Sequence, residues 1–185
     1  MSAGSVSVAH THRGNAATIL LAGAAVGVLD GLFAIVLRVF VYRSGTAEQV
    51  FQGIARGLIG PAALQGGHAS ALLGLVLHFT IATIWATVFW VAVGQFAGLR
   101  RVLQTTAGTI AVGALFGAFV WLVMRFGVIP MAGLGGRTIQ VRQFLVMLIG
   151  HMVVVGQPLA WIIARRARDA DQRVSGSASQ GVRSD

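Results

Sequence analysis

Four long apolar stretches dominate the hydropathy pattern of this 185-residue chain, and polar or glycine-rich segments separate them. A bilayer core of about 30 Å takes about 20 helical residues to cross, so each stretch is long enough to span it. The pattern predicts a four-span membrane domain over residues 16–166, with spans at about 17–42, 69–96, 102–126 and 142–164.

The segment 46–59 has a different pattern, with apolar residues at helical spacing on one side and polar residues on the other. Thr46, with Gln49 three residues later, resembles a capping box at its start. Such a segment is typical of an amphipathic helix that lies in the membrane interface. The predicted fold is therefore all-α: an integral membrane four-helix bundle with one additional interfacial helix, which we expect to seal the outer end.

Both ends of the chain are polar and rich in small residues. We predict a disordered N-terminal tail over residues 1–15 and a disordered basic tail over 167–185. A cleaved signal peptide is an alternative for the first stretch. The apolar run continues to Val41, however, well beyond a signal core of about 7–15 residues, so a span is expected.

Composition supports a membrane location, because 56% of the residues are hydrophobic and only 10% are charged, whereas soluble domains carry about 25%. The chain has no cysteine, which excludes disulfides and thiolate sites. Its fourteen basic residues are all arginine and give a net charge of +9. These arginines lie at helix ends and in the tails, which indicates lipid headgroups as the anionic partner. Nucleic acid is not expected, because no basic patch is interleaved with stacking aromatics.

The arginine distribution predicts the orientation. An even number of spans places both termini on one side, where eight arginines lie, among them Arg165, Arg166 and Arg168 at a helix end. The other side has six: Arg38, Arg43, Arg56, Arg125, Arg137 and Arg142. Because positive charges favour the cytoplasmic side, both termini are expected there.

Small residues mark two helix faces for close packing. Gly23, Gly27 and Gly31 repeat at every fourth position of the first stretch, and Gly113 and Gly117 form a second pair. In lipid, such strips let two helix backbones approach closely. Two uses are open: packing within one chain, or packing between copies in a homo-oligomer.

Three ionisable residues lie deep within three different stretches. At a rise of about 1.5 Å per residue, Asp30 falls near the bilayer midplane, and His78 and His151 about 5–6 Å to one side of it. Charged groups at this depth are costly and usually face the protein interior. The predicted intramembrane polar cluster consists of Asp30, His78, His151 and Gln157, and it is a candidate proton or ion path.

Two other roles are open for these residues. His78 and His151 are the minimum for axial ligation of haem b, or for a metal site together with Asp30, in a membrane redox protein. Alternatively, they are neutral hydrogen-bonding residues in a purely structural scaffold. Since no GxSxG or HExxH motif is present, we expect a non-enzymatic transport-related or accessory protein without a cofactor.

Short segments spread over about residues 17–166 resemble a family of small bacterial four-span membrane proteins without a known activity. They are Gly27–Asp30, Gln52–Gly60, Gly66–Gly67, Leu77–Phe79, Val120–Met124 with Pro130, and His151 with Gly156–Pro158. The chain departs from the family at Arg56, where a small residue is expected, and at Arg125, where an amide is expected. The resemblance implies four spans in a bacterial cytoplasmic (inner) membrane.

Overall fold

The structure, a computed structural model, describes residues 3–135 and 139–181. These residues form helices and turns without a strand, which confirms the all-α class. The α-helices are α1 (Ala3–Ile35), α2 (Ala47–Ile59), α3 (Gly67–Gln95), α4 (Ala97–Val102), α5 (Thr106–Val123), α6 (Ile129–Met131), α7 (Val141–His151) and α8 (Gln157–Gly181). A 3₁₀ turn covers Gly60–Gln65, and π turns cover Val36–Val41, Met124–Val128 and Met152–Gly156.

Within the described residues, four helical segments are long and apolar enough to cross a membrane. They are span 1 (Asn15–Val41), span 2 (Gly67–Gln95), span 3 (Thr106–Met131) and span 4 (Val141–Asp169). Large apolar side chains point away from the bundle, for example Leu72 at 62% and Leu115 at 71% exposure. Four such spans fit a multi-pass membrane protein.

Span 3 begins later than the predicted residue 102. The Thr105 side chain caps α5 by accepting a hydrogen bond from the Gly108 N–H at 3.0 Å, and the short helix α4 precedes it. A threonine cap fixes a helix start by satisfying one of its free N–H groups.

The predicted glycine strips pack within the chain. Gly23, Gly27 and Gly31 of span 1 face span 2, on Thr83, Phe79 and His78 respectively. Gly113 and Gly117 of span 3 face span 4, on Gly156 and on the backbone of His151 and Met152. Of the two uses open from the sequence, the structure shows packing within one chain, and assembly between copies stays a prediction.

Spans 1 and 4 also pack closely, because Gly150 leaves room for the Phe33 ring. Spans 2 and 3 meet through larger side chains instead: Phe116 lies 4.6 Å from Phe89 and 6.2 Å from Trp85 between ring centroids. Glycine contacts thus bring backbones together on three sides of the bundle, and rings hold them further apart on the fourth.

Helix α2 packs along span 2 and begins with the predicted capping box of Thr46 and Gln49. Its Ala55 is fully buried, and Gly74 of span 2 lies directly against the Phe51 backbone. The Gln52 amide donates to the Gly67 carbonyl at 3.2 Å and joins α2 to the start of span 2.

The packed core occupies the half of the bundle nearest both chain ends. Its buried side chains come from the early part of span 1, the later parts of spans 2 and 4, and α4–α5, and they include Ala22, Phe89, Leu103, Leu159 and Ile163. The other half, next to α2, is less tightly filled and contains the cavity described below.

Arg168, at the start of the predicted C-terminal tail, bonds to residues at the end of α4 and in α5. Its Nε and Nη2 donate to the Leu103 carbonyl at 3.1 and 2.8 Å, and Nη2 also donates to the Thr109 hydroxyl at 2.9 Å. A guanidinium suits this place because α4 ends there, and cations interact favourably with the last carbonyls of a helix.

The helical backbone continues beyond the predicted domain at both ends, from Ala3 in α1 and to Gly181 in α8. The disorder expected for both tails stays a prediction. Arg137, used above to predict orientation, lies outside the described residues.

The glycine contacts predict that one added methyl group lowers the stability at Gly117 but not at Gly94. In Gly117→Ala, the new Cβ would meet the His151 carbonyl oxygen and, at 2.7 Å, the Met152 Cα, which are backbone atoms that cannot rotate away. We expect destabilisation of about 1–3 kcal/mol, measured by SDS titration of the detergent-solubilised protein with circular dichroism. Gly94→Ala is the control, because nothing lies within 4 Å of its Cβ. Equal stabilities for the two variants would contradict the close approach of spans 3 and 4.

Candidate functional site

A cavity of about 510 Å³ lies between the spans in the half of the bundle next to α2. All four spans and α2 contribute to its lining, which is mostly apolar. Three of the four residues of the predicted polar cluster line it: Asp30 from span 1, His78 from span 2 and His151 from span 4. Residues far apart in the sequence therefore share one cavity.

Asp30 and His151 form an acid–histidine pair at this cavity. His151 Nε2 lies 3.7 Å from Asp30 Oδ1, and the two side chains are 12% and 22% exposed, respectively. The other ring nitrogen, Nδ1, lies 2.8 Å from the Met147 carbonyl oxygen on the same helix. A carbonyl only accepts, so Nδ1 carries a hydrogen and donates it.

This hydrogen bond fixes the tautomer of neutral His151 and therefore which group its Nε2 presents to Asp30. With Nδ1 protonated, a neutral His151 presents its Nε2 lone pair towards Asp30. A lone pair facing a carboxylate is unfavourable, and a carboxylate away from water needs a partner. A pair that carries one proton avoids that contact, as imidazolium with carboxylate or as imidazole with carboxylic acid, and either form is neutral overall.

His78 joins spans 1 and 2. Its Nε2 donates to the Gly27 carbonyl oxygen at 2.8 Å, and its ring makes edge contacts with Phe51 and Phe79 at centroid distances of 6.0 and 5.7 Å. Gly31 lies alongside, where an added Cβ would be 3.3 Å from Nε2. His78 therefore lines the cavity while acting as an interhelical hydrogen-bond donor.

Gln157 does not line the cavity with the other three residues of the predicted cluster. Its amide donates to the Ile110 carbonyl at 3.0 Å and packs against Gly113 of span 3. The π turn Met152–Gly156 separates it from His151, and Gln157 lies on the helix face towards span 3. Its contacts are those of a link between spans 3 and 4.

Two of the π turns are explained by proline. Met124–Val128 precedes Pro130, and Met152–Gly156 precedes Pro158. A proline lacks the N–H for the usual helical bond and its ring crowds the carbonyl four residues earlier, which a wider turn accommodates. The second π turn directly follows His151, so Pro158 helps to set the local helix geometry beside the pair.

Sequence reasoning missed part of the lining. Arg125 and Trp121 of span 3 line the cavity, as do Phe33 and Trp85, and α2 contributes Gly53, Ile54, Gly57 and Leu58. Trp121 is 4% exposed and lies 6.4 Å from the His151 ring. A signal was present: lining residues of span 3 lie at 121, 124, 125 and 128, the spacing of one helix face.

The hydrogen bonds leave one ring nitrogen of each histidine with a lone pair: Nδ1 of His78 and Nε2 of His151, the latter 3.7 Å from Asp30 Oδ1. They do not decide the haem alternative, which stays a prediction. Among the described residues, no group of three or more histidine, aspartate or glutamate side chains is placed to hold a metal ion.

Comparison with known proteins found no matching protein-family model, no similar curated protein and no similar solved structure. A function for this chain therefore has to follow from the chemistry of the cavity.

The hydrogen bonds predict opposite neutral tautomers for the two histidines. His151 should carry its hydrogen on Nδ1, and His78 on Nε2, because each faces a carbonyl oxygen at 2.8 Å. Solid-state NMR of ¹⁵N-histidine-labelled protein in lipid at alkaline pH distinguishes the tautomers. His78→Phe and His151→Phe assign the signals by their loss. The same tautomer at both positions would contradict the described site.

Proposed function

We propose that this chain is a transport-related or accessory membrane protein in which the Asp30–His151 pair takes up and releases a proton inside the bundle. The single observation that carries the proposal is the 3.7 Å pair at the wall of a cavity, with Nδ1 of His151 already engaged by Met147. That arrangement holds one exchangeable proton between two groups, which suits a relay.

The surroundings of the pair support a working site rather than simple helix packing. An interhelical hydrogen bond needs only one donor and one acceptor in contact, as between the Gln157 amide and the Ile110 carbonyl oxygen. The Asp30–His151 pair instead adjoins about 510 Å³ of space that water or a small molecule could occupy. Membrane ionisable residues beside such a cavity typically mark substrate or ion pathways.

The two halves of the bundle suggest how movement through it would be controlled. The cavity lies next to α2, whereas buried side chains fill the half nearest the chain ends. A proton that reaches the pair from the α2 side must therefore wait for a rearrangement before it leaves towards the other side. We propose that α2 covers the cavity at the membrane interface, with Gly53 and Gly57 in its wall.

We place the protein in a bacterial cytoplasmic membrane as a four-helix bundle with both termini in the cytoplasm. The four candidate spans support the membrane bundle, and an even number of spans supports the proposal that both termini share one side. The arginines at the end of span 4 support the cytoplasmic orientation. The resemblance to small bacterial four-span proteins supports the bacterial membrane. Lipid is the expected partner in each case.

Proton movement is measurable in liposomes that contain a pH-sensitive dye and the reconstituted protein. A potassium gradient with valinomycin supplies the driving voltage. We expect the protein to accelerate acidification, and Asp30→Asn and His151→Phe to slow it to the rate of protein-free liposomes, because each removes one member of the pair.

Glu48→Gln is the matched control for this assay. Glu48 also faces a histidine, His68, at 3.3 Å, but neither residue lines the cavity. We expect its flux to equal that of the unaltered protein. If Asp30→Asn conducts as well as Glu48→Gln, the pair is not the proton site. If the unaltered protein conducts nothing, and the variants differ only in thermal stability, a structural scaffold is the correct interpretation.

A further inference from the structure

The cavity combines one carboxylate with apolar and aromatic walls, which is an unusual lining for a site that handles protons alone. Most of its surface comes from apolar side chains, and Asp30 is the acidic residue among those that line it. A proton or hydrated ion needs polar ligands along its route. A volume of about 510 Å³ falls within the range of pockets for small organic ligands, about 300–1,000 Å³.

Aromatic rings contact His151, the partner of Asp30, at the wall of the cavity. Phe33 and Trp121 lie 6.5 and 6.4 Å from the ring of His151, which itself faces Asp30. All three line the cavity together with Trp85. Aromatic faces attract cations within about 6 Å, and the attraction grows when water is excluded.

From this arrangement we propose that the cavity binds a lipophilic organic cation, one that carries a quaternary or similarly apolar cationic centre. The cation takes the place of the proton in the Asp30–His151 pair. This inference rests on the proton occupancy of the pair that was proposed above.

The charges balance in this exchange. The proton-loaded pair is neutral, as imidazolium and carboxylate. When a monovalent cation binds beside the carboxylate, His151 releases the proton from Nε2 and keeps the hydrogen that Nδ1 donates to Met147. One proton leaves for each cation bound, so the net charge of the site stays at zero. Cation and proton therefore compete for one carboxylate.

Arg125 is the other fixed charge on the lining and would oppose a cation placed beside it. Its guanidinium carbon lies 5.5 Å from the centroid of Phe126, a ring that does not line the cavity. His78 faces the same cavity, but its Nε2 donates to the Gly27 carbonyl of span 1. We therefore place the cation next to Asp30 and His151, on the part of the lining formed by spans 1 and 4. An anion would instead bind next to Arg125 of span 3.

Two probes of the same shape and opposite charge test the proposal: tetraphenylphosphonium and tetraphenylborate. Binding to the full-length protein in detergent is measured by calorimetry in two buffers that differ in ionisation enthalpy, which gives the number of protons released. We expect tetraphenylphosphonium to bind with release of one proton. Because binding releases a proton, the apparent Kd should fall about tenfold for each unit by which the pH rises, over the range in which the unliganded pair holds its proton.

Variants connect the binding to the pair. Asp30→Asn should weaken tetraphenylphosphonium binding about 30-fold or more and abolish proton release. His151→Phe and Asp30→Glu keep a carboxylate and should still bind the cation, which separates loss of the site from loss of folding. Glu48→Gln removes the same charge outside the cavity and should leave both quantities unchanged.

Several results would overturn the inference. Absence of tetraphenylphosphonium binding, or binding without proton release, would do so, as would equal affinity of Asp30→Asn. Tighter binding of tetraphenylborate that is lost in Arg125→Gln would show an anion site instead. Voltage-driven proton flux without cation binding would leave the proposed function standing while this inference fails. Cation binding without any flux would overturn the proposed conduction and keep the site.

Discussion

A carboxylate within an apolar bundle has no bulk water to solvate it, and the arrangement around Asp30 follows from that need. Removing a carboxylate from water has a desolvation cost that an attractive partner offsets. His151 Nε2, 3.7 Å from Asp30 Oδ1, is that partner and joins spans 1 and 4.

Helix spacing makes this contact available. Gly150 admits the Phe33 ring, which brings span 4 close to span 1 on the side where His151 faces Asp30. Span 2 approaches span 1 through the strip of Gly23, Gly27 and Gly31. Spans 2 and 3 meet through large rings instead, so their backbones stay further apart. Close contacts on three sides and a wide one on the fourth leave room inside the bundle.

The π turns that precede Pro130 and Pro158 interrupt the regular α-helical winding of spans 3 and 4 next to the cavity. Non-standard helical turns are tolerated within a membrane where neighbouring helices cover them. Met152–Gly156 lies between His151 and the well-packed end of span 4, and Met124–Val128 carries Arg125. Both irregular segments thus border the cavity, where a change in helix winding would move a lining side chain.

The sequence by itself determined the four candidate spans, the amphipathic α2 with its Thr46 cap, and the positions of Asp30, His78 and His151 along their helices. These are local properties: apolar length, helical periodicity and a rise of about 1.5 Å per residue follow from neighbouring residues alone. The glycine strips could also be predicted from the sequence, because the four-residue spacing of the glycines places them on one face of a single helix.

Only the tertiary structure decided which of these features meet. Similar depth grouped Asp30, His78 and His151, and the predicted cluster also included Gln157, yet Gln157 bonds to Ile110 and His78 to the Gly27 carbonyl. Arg125 and Trp121 line the cavity because of the rotation of span 3 about its axis. Arg168 of span 4 bonds to the Leu103 carbonyl, which lies 65 residues earlier in the chain. The rotation of a helix about its axis depends on contacts between spans, and depth along one helix carries no information about it.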